Sequence, residues 1–274
     1  MKEIKEIGII GGGQMAEALI KGFLEKKIFS SEKILVSEPL AERRKYLEKT
    51  YKVITTENNK KIVKERSLIL LAVKPQVMKK VLEEIRDFID IEKHLILTIA
   101  AGIPLAFYEK ILREKTRIVR IMPNTCALVH KSISALCKGT FATDEDLEVS
   151  QQIFSAIGET VIVDESLMDA VTALSGSGPA YVALFIEALI DAGVRVGLPR
   201  NISEKLTLQT ILGTVELMTK SQKNPYEIKA MVSSPGGTTI SALHEFYEKG
   251  FQGIVISSVY RAYLRGKELS EILK

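Results

Sequence analysis

The first half of the chain alternates short apolar runs with charged segments whose apolar residues recur at helical spacing, such as Ala16–Lys26 and Gln76–Phe88. The apolar runs are Ile7–Ile10, Ile34–Val36, Leu68–Val73, Leu95–Ile99, Ile118–Ile121, Ile133–Leu136 and Val161–Val163. Strands that alternate with helices predict βαβ units and a largely parallel sheet. Continuous apolar runs are typical of strands that are covered on both faces.

After residue 163 the pattern is helical throughout. The predicted helices are Ala180–Ala192, Ile202–Lys220, Pro225–Val232, Thr239–Lys249 and Gly253–Leu269. The run Ile254–Ile256 is ambiguous by periodicity alone, and we find no other strand candidate of convincing length in this half. We therefore predict an α/β Rossmann-like domain at residues 1–163, followed by an all-α domain at residues 164–274.

Residues that favour helix ends support these boundaries. Asn201–Glu204 resembles a capping box, with Asn in the place of Ser or Thr. Asn224 precedes Pro225, which combines a capping residue with a proline at the first helical position. Gly193 and Gly250 stand where we expect helices to end.

Several helices of the second half are apolar around much of their circumference. Ala180–Ile190 contains one charged residue, Glu187, and Leu206–Val215 contains none. Helices of this kind must be buried, and a domain of about 110 residues has too small a core to bury them all. We therefore interpret the second half as a dimerisation domain that packs against a second copy of the chain. Burial against the chain's own first domain is the alternative.

Composition restricts the class of protein. The 274 residues are 46% hydrophobic and 26% charged, as in globular proteins, and the net charge of +4 is too small to indicate nucleic-acid binding. Two cysteines, Cys126 and Cys137, are too few for a disulfide scaffold. The uncharged stretch Ala170–Ile186 contains a Gly/Pro break, and charges stand among the first residues of the chain. We expect a cytoplasmic protein with no membrane span and no signal peptide.

A glycine-rich turn follows the first predicted strand and opens a helix. It matches G-x-G-x-x-(G/A) through Gly11, Gly13 and Ala16, with Gln14 and Met15 within it. The first glycine permits the tight turn, the second admits a pyrophosphate to the backbone, and the alanine lets helix and strand pack closely. Free N–H groups and the positive end of the helix dipole would hold the phosphates, so we predict a dinucleotide site.

Glu38 follows the second predicted strand, 22 residues after Ala16. An acidic residue at this place binds the adenosine ribose of NAD and repels the 2′-phosphate of NADP. Ser37, Arg43 and Arg44 would accept that phosphate if Glu38 pointed away, although the two arginines also fit a solvated helix face. The sequence leaves NAD and NADP both open, with Glu38 favouring NAD.

The carboxyl ends of the later predicted strands are also candidate cofactor- or substrate-binding positions, because ligands bind beyond the carboxyl ends of parallel strands. Small residues and prolines, which leave room for a flat ring, occur at three of these strand ends: Leu71–Pro75, Thr98–Gly102 and Arg120–Thr125. Lys74 would donate to a ribose or substrate oxygen, or would be an ordinary surface lysine.

The helical half contains two unusual turns. Ser175–Pro179 precedes the most apolar helix, and its small residues are also explained by close packing. Val232–Thr239 combines proline, two glycines and hydroxyl residues before a helix. Consecutive N–H groups at the start of a helix can bind a carboxylate. The alternative is that Thr239 only caps the helix as its N-cap residue.

These motifs, taken in order, resemble the pyrroline-5-carboxylate reductase family over essentially the whole chain. The matching elements are Gly11–Ala16, Ala72–Pro75, Ala100–Gly102, Met122–Thr125, Ser175–Ala180 and Ser233–Thr239 followed by Ile240–Leu243. The run Ser-Ser-Pro-Gly-Gly-x-Thr is the most specific of them. The resemblance implies reduction of the C=N bond of 1-pyrroline-5-carboxylate to L-proline by NADPH or NADH. It also implies an intertwined homodimer, which in this family sometimes assembles into larger rings.

The resemblance also implies the site residues. The expected substrate-binding residues are Ser234, Gly236, Gly237, Thr238 and Thr239, with Gly236, Gly237 and Thr238 binding the carboxylate through N–H groups. Thr239 is the expected catalytic residue, because it would hydrogen-bond the ring nitrogen. The expected cofactor-binding residues are Gly11, Gly13, Gln14, Met15, Ala16, Ser37, Glu38, Asn59, Ala72, Val73, Lys74, Pro75, Ala100 and Ala101. A protonated imine already accepts hydride readily, so a site without a strong base is sufficient.

Two positions depart from the family pattern. Cys126 replaces a proline after Met-Pro-Asn-Thr, and we interpret it as a small buried residue rather than a reactive thiol. Gln14 stands where asparagine is common and keeps the amide. His94, His130 and His244 show no ligand spacing that would indicate a metal site.

Two rival functions remain at this point. A β-hydroxyacid dehydrogenase or related imine reductase would place a lysine soon after the glycine turn of the helical half, but no lysine follows Ser175–Pro179 before Lys205. A non-catalytic dinucleotide-binding regulator would not need the Ser233–Thr239 loop.

Overall fold

The computed structural model describes residues 6–271, so Lys2, Glu3 and Lys5, on which the signal-peptide prediction partly depends, lie outside the described residues. The described residues form two compact units: the first comprises those within Met1–Ser177 and Ala262–Lys274, and the second is Gly178–Arg261. The assignment of separate roles to residues 1–163 and 164–274 stays a prediction.

The first unit is built around one eight-stranded sheet of order β3-β2-β1-β4-β5-β6-β7-β8. The strands are β1 (Ile7–Ile10), β2 (Ile34–Ser37), β3 (Ile54–Thr56), β4 (Leu68–Leu71), β5 (Leu95–Thr98), β6 (Arg117–Met122), β7 (Ser132–Lys138) and β8 (Gly158–Ile162). The order of the first six strands is that of a doubly wound dinucleotide-binding fold, which confirms the Rossmann-like prediction.

Helices cover both faces of this sheet. They are α1 (Gln14–Glu25), α2 (Ala41–Tyr51), α3 (Asn59–Glu65), α4 (Pro75–Ile85), α5 (Leu105–Ile111), α6 (Asp144–Phe154) and the short α7 (Met168–Val171). Alternate residues of one strand enter opposite cores: Leu68 and Leu70 pack in one apolar cluster, and Ile69 and Leu71 in the other. This alternation explains why the central strands are uninterrupted apolar runs.

One strand of the sheet is absent from the sequence prediction, and one strand pair is the exception within the largely parallel sheet that was predicted. β3 was not predicted, because Ile54–Thr56 is a short, half-exposed strand beside β2 with no apolar run. β7 pairs antiparallel with β6, because the connection 123–131 is shorter than the roughly dozen residues that a parallel crossover needs.

The second unit is helical, as predicted. Its helices are α8 (Gly178–Arg195), α9 (Arg200–Ser221), α10 (Pro225–Met231), α11 (Thr238–Glu248) and α12 (Phe251–Glu271), whose last residues belong to the first unit. The ambiguous run Ile254–Ile256 is therefore helical.

The predicted helix ends are partly confirmed. Gly250 lies between two helices with φ +66°. The capping box at Asn201 is wrong, because Pro199 is the N-cap and Asn201 lies inside α9. The helix end at Gly193 is also wrong: a Cβ there would lie 2.1 Å from Ser203 Oγ, so this glycine permits close packing of α8 and α9.

The Asn224 cap is confirmed with a full capping box. The Asn224 side chain accepts a hydrogen bond from the Glu227 N–H, and the Glu227 carboxylate accepts one from the Asn224 N–H at 2.9 Å. We expect Asn224→Ala to lower the free energy of unfolding by about 1 kcal/mol, measured by denaturant titration. Asn224→Asp keeps an acceptor and serves as the control; equal losses in both variants would contradict the capping role.

The stretch 165–195 is the one part of the described chain that is long and apolar enough to cross a membrane by length and composition. A π-helical turn at Thr172–Gly176 interrupts its regular α-helix. A single stretch of this kind is weak evidence for a membrane span, since helices of soluble proteins pass the same test.

Candidate functional site

The glycine turn lies where β1 reaches its carboxyl end. Gly11 has φ +102°, and a Cβ on it would stand 2.7 Å from the Ala72 carbonyl oxygen, so only glycine fits. Its N–H donates to the Ser37 carbonyl at 2.8 Å. Gly11 therefore connects the ends of β1, β2 and β4 at the point where the strand order reverses, which is where doubly wound sheets bind ligands.

The start of α1 presents free N–H groups. Gly13 is its N-cap, has no side-chain cap, and has open space on the side where a Cβ would stand. Gln14 is exposed, Met15 is half-buried, and Ala16 is buried beneath the helix. An uncapped helix start with a bare glycine is a site for an anion such as a pyrophosphate.

A cleft of about 530 Å³ opens beside this turn, within the range of small-molecule sites. Its lining is Ile10, Gly11, Gly13, Ser37, Glu38, Pro39, Glu57, Asn59, Ala72, Val73, Lys74, Val77, Lys80, Val81 and Glu84. The structure thus brings together the predicted residues Gly11, Gly13, Ser37, Glu38, Asn59, Ala72, Val73 and Lys74. Their binding role stays a prediction.

Other predicted cofactor residues lie outside this lining. Pro75 is the first residue of α4, after its N-cap Lys74. Ala100 is buried beyond the end of β5, and Ala101 is exposed in the turn that follows. Their assignment to the nicotinamide end likewise stays a prediction.

A chain of polar side chains from β2, α3 and α4 crosses the cleft. The Ser37 hydroxyl donates to Asn59 Oδ1 at 2.7 Å, and Asn59 Nδ2 donates to Glu84 Oε2 at 2.9 Å. Glu84 was missed in the sequence, because a charged residue on α4 is typical of a solvated face. The signal was its spacing: Val77, Lys80 and Glu84 follow one face of the helix and all line the cleft.

Glu38 is buried and holds two backbone N–H groups. Its Oε2 accepts from Gly12 N at 2.9 Å, and its Oε1 accepts from Leu40 N at 3.0 Å. It therefore stabilises the glycine turn while its charge remains in the lining of the cleft.

The two arginines of α2 are neither free nor simply solvated. Arg43 Nε donates to the Gly12 carbonyl at 2.6 Å, and Arg44 Nη1 donates to the carbonyls of Glu38 and Pro39 at 2.7 and 2.8 Å. The solvated-face interpretation of both residues is therefore wrong, because tertiary contacts occupy both guanidinium groups.

The Pro-Gly-Gly loop of the second unit contains a tight turn. Gly237 N donates to the Ser234 carbonyl at 3.1 Å, Pro235 is in the second position of the turn, and Gly236 has φ +67°. A Cβ on Gly237 would lie 2.3 Å from Ser234 Oγ, so a larger residue there would force the Ser234 hydroxyl to move. In this conformation the Gly237 N–H is already bonded within the turn.

This loop leads directly into α11. Gly237 is the N-cap without a side-chain cap, so Thr238 and Thr239 are the first and second helical residues. The interpretation of Thr239 as an N-cap is therefore wrong. Among the described residues, the N–H groups of Gly236, Thr238 and Thr239 have no hydrogen-bond partner. They lie at or just before the positive end of an 11-residue helix, where an anion would be stabilised.

The remaining candidate groups do not form a metal site. No group of three His, Cys, Asp or Glu side chains within residues 6–271 could hold a metal ion. Burial raises the pKa of the Cys137 thiol to about 12, so this residue is protonated. Cys126 is partly exposed, which corrects the prediction that it is buried: it lies in a short surface turn, where its N–H donates to Asn124 Oδ1.

Comparison with known proteins gives consistent results for both halves. Residues 165–269 match the family model "Pyrroline-5-carboxylate reductase dimerisation", and residues 6–102 match "NADP oxidoreductase coenzyme F420-dependent". The chain is 44% identical to the pyrroline-5-carboxylate reductase of Synechocystis sp., covering 97% of this chain and 98% of the relative. It is 42% identical to that of Methanosarcina acetivorans, covering 98% and 99%. A crystal structure of Plasmodium falciparum pyrroline carboxylate reductase with NADP bound superposes with a TM-score of 0.88 at 33% identity, covering 98% and 99%.

Proposed function

The chain belongs to the pyrroline-5-carboxylate reductase family, and from this we propose which of its residues perform each part of the reaction. It is an NAD(P)H-dependent oxidoreductase that reduces 1-pyrroline-5-carboxylate to L-proline, the last step of proline biosynthesis. The rival dehydrogenase and regulator functions are no longer needed to explain the chain.

The dinucleotide binds in the cleft beside β1. Free N–H groups at the start of α1 and the bare Gly13 support the pyrophosphate site. Ser37, Asn59 and Glu84 offer hydroxyl, amide and carboxylate groups for the adenosine ribose. The residues present therefore fit the cofactor, which supplies the hydride when bound.

The substrate carboxylate binds at the start of α11. Unpaired N–H groups at Thr238 and Thr239 support this assignment, and the left-handed Gly236 contributes a third. Gly237 contributes by lacking a side chain rather than by donating its N–H, which the turn already uses. Ser234 closes that turn through its carbonyl.

Thr239 holds the ring nitrogen in this mechanism. Reduction at C5 leaves the ring nitrogen with two protons, and the Thr239 hydroxyl accepts a hydrogen bond from one of them. Because the protonated imine accepts hydride without further activation, orientation by backbone N–H groups and this hydroxyl supplies most of the rate. The uncapped glycine-rich start of α11 is the observation that carries this proposal.

The direct test is oxidation of NADH or NADPH, followed by absorbance, with pyrroline-5-carboxylate as the substrate. Turnover with formation of proline is expected. Absence of turnover with both cofactors would refute the proposed activity.

NADH is the preferred cofactor in this proposal. Glu38, Glu57 and Glu84 all line the cleft, and a 2′-phosphate would meet their negative charge. Arg44, which would neutralise such a phosphate, is bonded to the carbonyls of Glu38 and Pro39 and lies 3.2 Å from Glu57. These contacts support the preference that Glu38 suggested in the sequence.

We expect the wild-type protein to have a higher kcat/KM with NADH than with NADPH. In Glu38→Ala we expect the ratio of these two values to fall about ten-fold, because one negative charge that repels the 2′-phosphate of NADPH is removed. Efficiency with both cofactors falls as well, since Gly12 loses its acceptor. The measurement is a pair of kinetic titrations for each protein. A wild-type preference for NADPH would contradict the proposal.

The chain functions as an oligomer through its dimerisation domain. In the proposal its smallest unit is a homodimer, which assembles further into a ring, and neither nucleic acid nor a membrane is a partner. The homodimer is supported by large apolar side chains that are exposed in the single chain and that a second copy would cover: Leu184, Leu212, Ile254 and Ile256. The proposed location is the cytoplasm.

A further inference from the structure

Gly12, the middle residue of the glycine turn, is bonded on both sides of its backbone. Its N–H donates to Glu38 Oε2 at 2.9 Å, and its carbonyl accepts from Arg43 Nε at 2.6 Å. Gly12 itself is buried, whereas Gly13 is exposed to the cleft. Two charged side chains, one directly after β2 and one in α2, thus hold one peptide segment.

These bonds determine where the neighbouring N–H groups point. In a trans peptide the carbonyl and the following N–H point in opposite directions. Arg43 holds the carbonyls of Gly12 and Gly13, the second through Nη2 at 3.3 Å, so the N–H groups of Gly13 and Gln14 point away from Arg43. Arg43 does not line the cofactor cleft; it lies in a separate surface hollow with Tyr46.

Arg43 is itself held in place. Its Nη2 pairs with Glu17 Oε2, and Glu17 Oε1 accepts from the hydroxyls of Tyr46 and Tyr51, both at 2.8 Å. Partial burial raises the pKa of Glu17, but the hydrogen bonds from Arg43, Tyr46 and Tyr51 outweigh it and leave the pKa below its ordinary value. The carboxylate that anchors Arg43 is therefore ionised at neutral pH.

We propose that Glu38 and Arg43 form a clamp on Gly12 that orients the N–H groups of the glycine turn toward the dinucleotide pyrophosphate. Arg43 is then a positioning residue that acts equally for NADH and NADPH, and not a contact of the 2′-phosphate. This inference rests on the proposed function only in that the cleft binds a dinucleotide.

The test compares Arg43→Met with Arg44→Met, by kinetics and by direct titration of NADH and NADPH. Arg43→Met keeps the aliphatic stem and removes the donors. KM and Kd are expected to rise about ten-fold for both cofactors alike, with kcat at saturation changed less than two-fold. Arg44→Met is the matched control, because Arg44 is the next residue and does not bond the glycine turn; its KM for NADH is expected to be unchanged.

Arg43→Lys separates geometry from charge. Lysine keeps the positive charge but cannot donate to two carbonyls and Glu17 in a planar fork, so KM is expected to remain several-fold raised for both cofactors. Full rescue by lysine, a loss confined to NADPH, or an unchanged KM in Arg43→Met would each overturn the clamp. Failure of the wild-type protein to bind either dinucleotide would instead refute the proposed function.

Discussion

Replacing Gly13 with alanine is expected to raise the Kd and KM for NADH and NADPH at least 30-fold while leaving the fold intact. Gly13 has φ −69°, which any residue adopts, and nothing lies within 4 Å of the position of a Cβ. The new methyl group would therefore project into the cleft that Gly13 lines, at the place where we propose that the pyrophosphate approaches the backbone.

The free energy of unfolding of Gly13→Ala distinguishes a local loss of dinucleotide binding from a loss of the fold. Alanine restricts the unfolded chain and so gains about 0.4–1 kcal/mol, but it is a poorer N-cap than glycine by a comparable amount. The free energy of unfolding should thus change by less than about 1 kcal/mol, measured by denaturant titration beside dinucleotide titration.

Gly11→Ala provides the contrast for Gly13→Ala. It combines φ +102° with a Cβ 2.7 Å from the Ala72 carbonyl oxygen, so it is expected to lose stability as well as binding. Wild-type affinity in Gly13→Ala would mean that the pyrophosphate does not pass this residue.

Replacing Thr239 with alanine is expected to lower kcat about 100-fold with little change in the Kd for NADH. In the proposed mechanism this change removes one hydrogen bond that is strongest in the transition state, and removal of one such oriented group from an active site has an effect of this size. Thr239 is the second residue of α11, and the structure gives no side-chain cap at this helix. The loss is therefore not expected to destabilise the helix end.

Two variants make this test specific. Thr239→Ser keeps the hydroxyl and should retain most of the activity. Thr238→Ala changes the preceding residue, for which only the backbone N–H is assigned a role, and should stay within a few-fold of wild type. If Thr239→Ala turned over as fast as wild type, Thr239 would have no part in the mechanism.

The central strands and the long helices could be predicted because each is stabilised by its own apolar pattern. β1, β4 and β5 are buried on both faces, so their sequences are continuous apolar runs. β3 could not be predicted: three residues at an edge of the sheet carry no such pattern and are ordered by pairing with β2. The prediction that a helix ends at Gly193 is wrong for a similar reason, because this glycine permits close packing against Ser203 of another helix.

Some parts of the candidate site can likewise be predicted from the sequence, and others cannot. The glycine turn and the Pro-Gly-Gly loop are visible in the sequence, because local backbone requirements at Gly11 and Gly236 select glycine whatever lies around them. The partners of Glu38 and Arg43 are not visible, because 26 residues separate Glu38 from Gly12 and 31 separate Arg43 from it.

The class of fold, the order of its elements and the two glycine-rich loops can therefore be inferred from the amino-acid sequence, because each depends on patterns among near neighbours in the chain. The folded structure was needed to show which charged side chains line the proposed cofactor cleft and which hold the glycine turn. Glu84 and Arg43 show the physical reason: both are charged residues on helices, equally compatible with solvent, and their roles follow only from what the folded chain places beside them.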